Sequence, residues 1–144
     1  MTKQKGQVAV EFALIVPFVL FIVLGGIYGG ILFMDYMNYS NTARQLARDA
    51  TFKKVEEIYK PALDEDAAIL YKPELYIVPK DDLKSVNGRL STLALEPLNP
   101  QENSRTVVIL LTRKFNLGLF DFLNFPPESL KPIIYTMPVE NHVE

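Results

Sequence analysis

From residue 12 to residue 34 the chain carries no charged side chain. A helix needs roughly 20 apolar residues to cross a hydrocarbon core, and this run is longer than that. Most of its residues are Leu, Ile, Val or Phe. At about 0.3–0.6 kcal/mol each, they favour the bilayer by about 5–9 kcal/mol, an upper bound because end positions count for less. The run is longer than the roughly 7–15-residue apolar core of a secretory signal peptide, and no A-x-A-like site follows it. The segment is expected to span a membrane.

Glu11 sits at the mouth of this run, five positions after Gly6, with Lys3 and Lys5 just outside. A carboxylate in lipid costs about 3 kcal/mol at the centre and less near the ends, so it usually has a partner. A cut after Gly6 would leave a new amino terminus on Gln7. Residues 7 and 11 share a helix face, so Glu11 would neutralise that α-ammonium or the one on a neighbouring copy. The competing reading is a plain signal-anchor whose glutamate snorkels to the surface.

Gly6, four residues, then Glu11-Phe12 and an apolar run resembles the class III signal of type IV prepilins, which a prepilin peptidase cuts after the glycine. The text Gly-Gln-Val-Ala-Val-Glu-Phe-Ala-Leu-Ile-Val-Pro, residues 6–17, is similar to the opening of TadE-like minor pseudopilins of tight-adherence (Flp-type) pilus systems. Asn41-Thr42-Ala43-Arg44-Gln45-Leu46-Ala47-Arg48 resembles the helical continuation in that family. The resemblance covers about the first 50 residues. It implies a prepilin-type leader, 1–6, cleavage between Gly6 and Gln7, and assembly through the N-terminal helix. The partners implied are a prepilin peptidase, other pilin or pseudopilin subunits and the membrane assembly platform, in a homo- or hetero-oligomer. The implied location is the cytoplasmic membrane, single-pass, with the C-terminal domain outside or incorporated into a pilus.

Within the run, Pro17 removes one helical hydrogen bond and is expected to kink the helix near 13–17. Gly25, Gly26, Gly29 and Gly30 form two overlapping small-xxx-small pairs that let another helix approach in lipid. Tyr36 and Tyr39 suit the headgroup level beyond Asp35. From 35 to 59 there is no Gly or Pro, and apolar residues recur at spacings of 3 and 4. Lys53 with Glu57, and Glu56 with Lys60, have the spacing of supportive i,i+4 pairs. One continuous helix is therefore expected over about 8–59, near 78 Å long, ended by Pro61.

Further on, Asp64 is expected to cap a short helix, 65–71. Residues 74–78 form a possible short strand, and Asn87-Gly88 is a turn signal. Strand candidates follow at 90–95, 106–115 and 132–137. The second has a continuous apolar middle, as expected of a strand buried on both faces. An antiparallel meander with one face on the helix beyond Tyr39 follows from this order. The fold class is α+β: a long N-terminal transmembrane helix, 7–34, continues into an exposed amphipathic helix, 35–60. A small antiparallel β-sheet within an extracytoplasmic domain, 61–144, packs on it. Leu117, Leu119, Phe120, Phe122, Leu123 and Phe125 form an apolar cluster, expected to be a lid at one end of the sheet, the alternative being a surface contact for lipid or a partner.

The chain contains no cysteine, which removes disulfides, zinc-thiolate sites and Cys nucleophiles together. His142 is the only histidine, with no acid constellation around it. No phosphate-binding glycine loop or paired-histidine helix occurs, and Asp64-Glu65-Asp66 lacks EF-hand spacing. The net charge of −2 gives no footprint for nucleic acid. Neither an enzyme nor a cofactor- or metal-binding protein is expected. The runner-up is an uncleaved single-pass envelope protein whose external domain binds a partner. Basic residues flanking the run, Lys3 and Lys5 against Arg44, Arg48, Lys53 and Lys54, do not favour an internal N-terminus. The resemblance overrides that count, because the outer charges are expected on a rigid helix interleaved with acids.

Overall fold

A computed structural model describes residues 2–114 and 127–139, with side chains from Gly6 onward. Phe115, His142 and the apolar cluster from Leu117 to Phe125 lie outside the described residues. The chain divides into two compact units, Met1–Met34 and Asp35–Glu144. Helix α1, Thr2–Phe52, forms the described part of the first unit and opens the second.

In the first unit, α1 runs through Pro17 without ending there. Its large side chains lie open, with Phe12, Leu14, Phe18 and Phe33 all at least two-thirds exposed or close to it. The most apolar window of the helix has no buried residue. A helix apolar on all sides belongs in a large core or in lipid. This helix has the length and composition of a membrane anchor or signal.

The second unit holds α1 from Asp35 on, a single 3-10 turn at Val55–Glu57, β1 (Tyr71–Val78), α2 (Leu83–Thr92), β2 (Ser104–Arg113) and β3 (Ile133–Pro138). The strands form one antiparallel sheet in the order β1-β2-β3. The central strand is the run Val107-Val108-Ile109-Leu110-Leu111, at most 1% exposed, so both faces are covered as its unbroken apolar text requires. Odd-numbered positions face α1. Tyr135 of β3 touches Ser40 and Arg44 there, and the register aligns Tyr135 with Val107 and then Ile77. Ala43, Ala47 and Ala50 are fully buried on the facing side of the helix, small enough to let the sheet approach. Even-numbered positions face α2, where Val78, Val108 and Leu110 pack with Val86 and Leu90. The α+β architecture, with an antiparallel sheet on the helix, is as expected.

Several elements differ from the sequence-based expectation. Helix α1 stops at Phe52, not near Tyr59. Beyond it the chain turns so that Ile58 is buried, and its carbonyl accepts from the Lys80 ammonium. Lys60 pairs with Asp81 at 3.0 Å, not with Glu56. Tertiary contacts thus override helical spacing, and Lys53 and Lys54 lie past the helix, not on it.

No helix forms over 65–71. Asp64 does accept from the Asp66 N–H at 3.0 Å, as a cap would, but the chain makes only a turn before β1 begins. The short strand expected at 74–78 is the longer β1. Its Pro73 is tolerated because this is an edge: the Ile77 N–H points off the sheet to Asp81 at 2.6 Å, and Pro73 sits at an equivalent outward position.

The turn expected at Asn87-Gly88 and the strand expected at 90–95 are both replaced by α2. Asp82 caps it by accepting from the Lys84 N–H. Leu83, Val86, Leu90 and Leu93, at spacings of 3, 4 and 3, supply one apolar stripe. Gly88 lies in open space within the helix, and the Asn87 side chain holds both the N–H and the carbonyl of Leu98.

Candidate functional site

The Gly6–Gln7 bond lies inside α1. One turn on, the Gln7 side-chain amide donates to the Glu11 carboxylate at 3.4 Å, on an exposed face. Both groups belong to the i,i+4 pair read from the sequence. The side chains of Lys3 and Lys5 lie outside the described residues. A Cβ added at Gly6, Gly25, Gly26, Gly29 or Gly30 would meet nothing within 4 Å. No neighbour in this chain therefore requires glycine at any of them. Pro17 lies inside the helix between Glu11 and the glycines.

A second group of residues, not anticipated, gathers at the start of the second unit. Asp35, the first charged residue after the apolar run, is only 2% exposed. Its carboxylate accepts the backbone N–H groups of Ile69 and Leu70, at 3.2 and 3.3 Å. Tyr39, expected at the headgroup level, is instead buried and donates to the Asp64 carbonyl at 3.2 Å. Burial, and then the negative charges of Asp35 and Asp64, raise the Tyr39 phenol above its ordinary pKa. The ammonium of Lys114 reaches the carbonyls of Glu65 and Ala68. Asp35 and Tyr39 fasten the segment 64–70 to the helix, and Lys114 ties it to the end of β2. The only hint in the sequence is the lone acid at the end of the apolar run; nothing there identifies two amides over thirty residues away as its partners.

On the other side of α1, the Tyr135 hydroxyl meets Ser40 at 3.0 Å and Arg44 at 3.2 Å. The guanidinium also lies 5.5 Å from the ring centroid, in cation–π range. The Ser40 hydrogen bond, then that of Arg44, lowers the Tyr135 pKa. These contacts close the helix onto edge strand β3. Among the described residues no three potential ligands converge to hold a metal ion.

The described residues thus comprise an open apolar helix with one acid, Glu11, near its start, and a small sheet packed on the helix from Asp35 onward. Residues 6–48 match the family model for TadE-like protein, and this segment is a TadE-like domain. The match begins on Gly6 and ends in the part of α1 that bears the sheet. No curated protein and no solved structure matches the chain.

Proposed function

We propose that this chain is a minor pilin or pseudopilin subunit of a Tad-type pilus assembly system. A prepilin peptidase cuts between Gly6 and Gln7, and the subunit assembles through its N-terminal helix. The observation that carries the reading is the TadE-like match over 6–48, which spans the glycine, the acid and the whole apolar run.

The run 12–34 holds the protein in the cytoplasmic membrane, with the C-terminal domain outside. Cleavage removes the helical turns before Gln7 and creates an α-ammonium at the head of the remaining helix. Glu11 then stands near a helix N-terminus, where a carboxylate gains about 0.3–1 kcal/mol from the helix dipole before any ion pair is counted. In lipid or in a subunit bundle, the low dielectric strengthens attraction between that carboxylate and an ammonium, its own or a neighbour's. The side chain of Gln7, which now occupies Glu11 weakly at 3.4 Å, is a neutral partner that the ammonium outcompetes. Neighbouring helices replace lipid around the open apolar face, and Gly25, Gly26, Gly29 and Gly30 allow close approach. Pro17 shapes the same packing segment.

The test is the intact mass of the membrane-extracted chain, produced with and without the matching peptidase. The expected product begins at Gln7 only when the peptidase is present. Gly6→Val leaves the helix without a clash, since its Cβ meets nothing, yet retains the leader. A chain still carrying residues 1–6 beside an active peptidase would return the protein to the uncleaved, partner-binding anchor.

A further inference from the structure

The second unit contains an open pocket of about 490 Å³ whose lining residues all lie between Asp35 and Ala67. Pockets of roughly 300–1,000 Å³ suit small organic groups. Asp35 lies in its wall and is only 2% exposed. Both amide bonds to Asp35, from Ile69 and Leu70, fall on the same oxygen, Oδ2. Oδ1 takes no hydrogen bond from the described residues, yet it is not sealed away. The one sealed, partnerless side-chain polar atom among them is Arg105 Nε. The free oxygen of Asp35 therefore opens into the pocket.

The rest of the wall has the same sense. Asp64 shares it, with Oδ1 engaged by the Asp66 N–H and Oδ2 left over. The Tyr39 hydroxyl donates to the Asp64 carbonyl, and the Thr42 hydroxyl donates to the Asn38 carbonyl. Both hydroxyls thus present lone pairs, and of the lining side chains only Asn38 keeps N–H donors. Among the described residues no Lys or Arg pairs with Asp35 or Asp64. Lys114 is committed to the carbonyls of Glu65 and Ala68 and is not part of the wall. Buried charges are normally paired, and this wall holds two carboxylates and no cation.

We propose that this pocket binds a primary ammonium group on a short apolar stem, with Asp35 and Asp64 as its anionic partners. An ammonium has three donors that can be shared between separate oxygens. A guanidinium uses its fork on two parallel oxygens of one carboxylate, and each carboxylate here has one to give. Residues 61–63 supply an apolar wall for the stem. A bare divalent ion fits less well, since no three acidic or histidine side chains converge among the described residues. An amine in solution and the lysine side chain of another protein carry this same group. The inference depends neither on the membrane reading nor on assembly into a pilus.

The test is a titration of the full chain in a neutral detergent, followed through the amide resonances of Ile69 and Leu70, which share the Asp35 carboxylate. n-Pentylammonium is expected to shift both and to saturate, whereas 1-pentanol, the same stem without the charge, leaves them in place. Asp35→Asn keeps an acceptor for the two amides and should weaken binding by about tenfold or more. Asp64→Asn still accepts from the Asp66 N–H and should also weaken it, with the Asp35 anchor untouched. Equal shifts with pentanol, or unchanged affinity in Asp35→Asn, would overturn the proposal. Calcium chloride that displaces pentylammonium at a lower concentration than the amine itself would reassign the site to a divalent cation and overturn it too. n-Butylguanidinium bound as tightly as pentylammonium would contradict the choice of ammonium. Capped lysine, acetylated and methylamidated, separates the two sources. Its binding supports the ammonium site and assigns it to a lysine of another protein; its exclusion, with pentylammonium bound, supports the site for a free amine.

Discussion

Arg89 on α2 and Glu74 on β1 are joined by two parallel hydrogen bonds, 2.9 Å from Nε and 2.7 Å from Nη2. The Tyr76 hydroxyl donates to the same carboxylate at 3.1 Å. This pair ties the helix that the sequence conceals to the strand beneath it. The Arg89 hydrogen bond is the main cause holding the Glu74 carboxyl below its usual pKa, against the opposing effect of burial.

Arg89→Ala is therefore expected to destabilise the detergent-solubilised chain by about 1 kcal/mol at neutral pH. The Arg89 side chain is 41% exposed, which keeps the value near the surface-pair range and below that of a buried pair. Because the folded pKa of Glu74 is lowered, its contribution is present above the ordinary glutamate value of about 4.3 and is lost as pH falls through the folded value. Thermal unfolding of wild type and variant should differ at neutral pH and converge as pH falls through the folded pKa of Glu74. An undiminished gap in acid would show that packing, not charge, is lost.

Asp35 predicts a larger effect. Asp35→Ala leaves the Ile69 and Leu70 amides without their acceptor, and each unsatisfied buried donor costs about 1–3 kcal/mol. A loss of about 2–4 kcal/mol is expected, with faster hydrogen exchange at these two amides. Asp35→Asn keeps an acceptor oxygen and should cost about 1 kcal/mol or less. Equal losses in the two variants would mean that the negative charge itself is required.

Much of the architecture was legible because it is written in hydrophobicity. The run 12–34 reads as one long apolar helix and the apolar middle of β2 as the centre of a sheet, and both elements form as read. Gly6 and Glu11 stand out in the sequence by their spacing, and the family match begins on Gly6. The remainder failed for identifiable reasons. Asn87-Gly88 reads as a turn, yet Asp82 and the stripe from Leu83 to Leu93 outweigh it once there is a sheet face to cover. Leu90, Leu93 and Leu95 look like weak alternation, because a short window cannot separate a helix end from a strand. The stop at Phe52 depends on Lys80 and Asp81, which meet the chain only after it folds. The same is true of the two amides that occupy Asp35.

The end of α2 offers a gain of stability. The Leu95 N–H bonds the Leu90 carbonyl at 2.9 Å and the Ala94 N–H bonds the Ser91 carbonyl at 3.1 Å, the double closure of a Schellman motif. Ala94 occupies its left-handed position at φ 54°, where a Cβ is strained. Ala94→Gly removes the strain but adds unfolded-state entropy, for a net gain of about 0.5–1 kcal/mol. The melting temperature should rise by about 2–6 °C, and a fall would show that the Ala94 methyl contributes packing.

The account turns on whether Glu11 is there to meet an ammonium. The direct measurement is pilus assembly in cells carrying Glu11→Gln in place of the natural copy, made alongside the intact mass of the same protein. The variant keeps the length and polarity of the side chain and loses only its charge, so cleavage after Gly6 and membrane insertion should proceed as before. The account predicts trimmed protein in the membrane and few or no assembled pili. Trimmed protein with normal pili would contradict it.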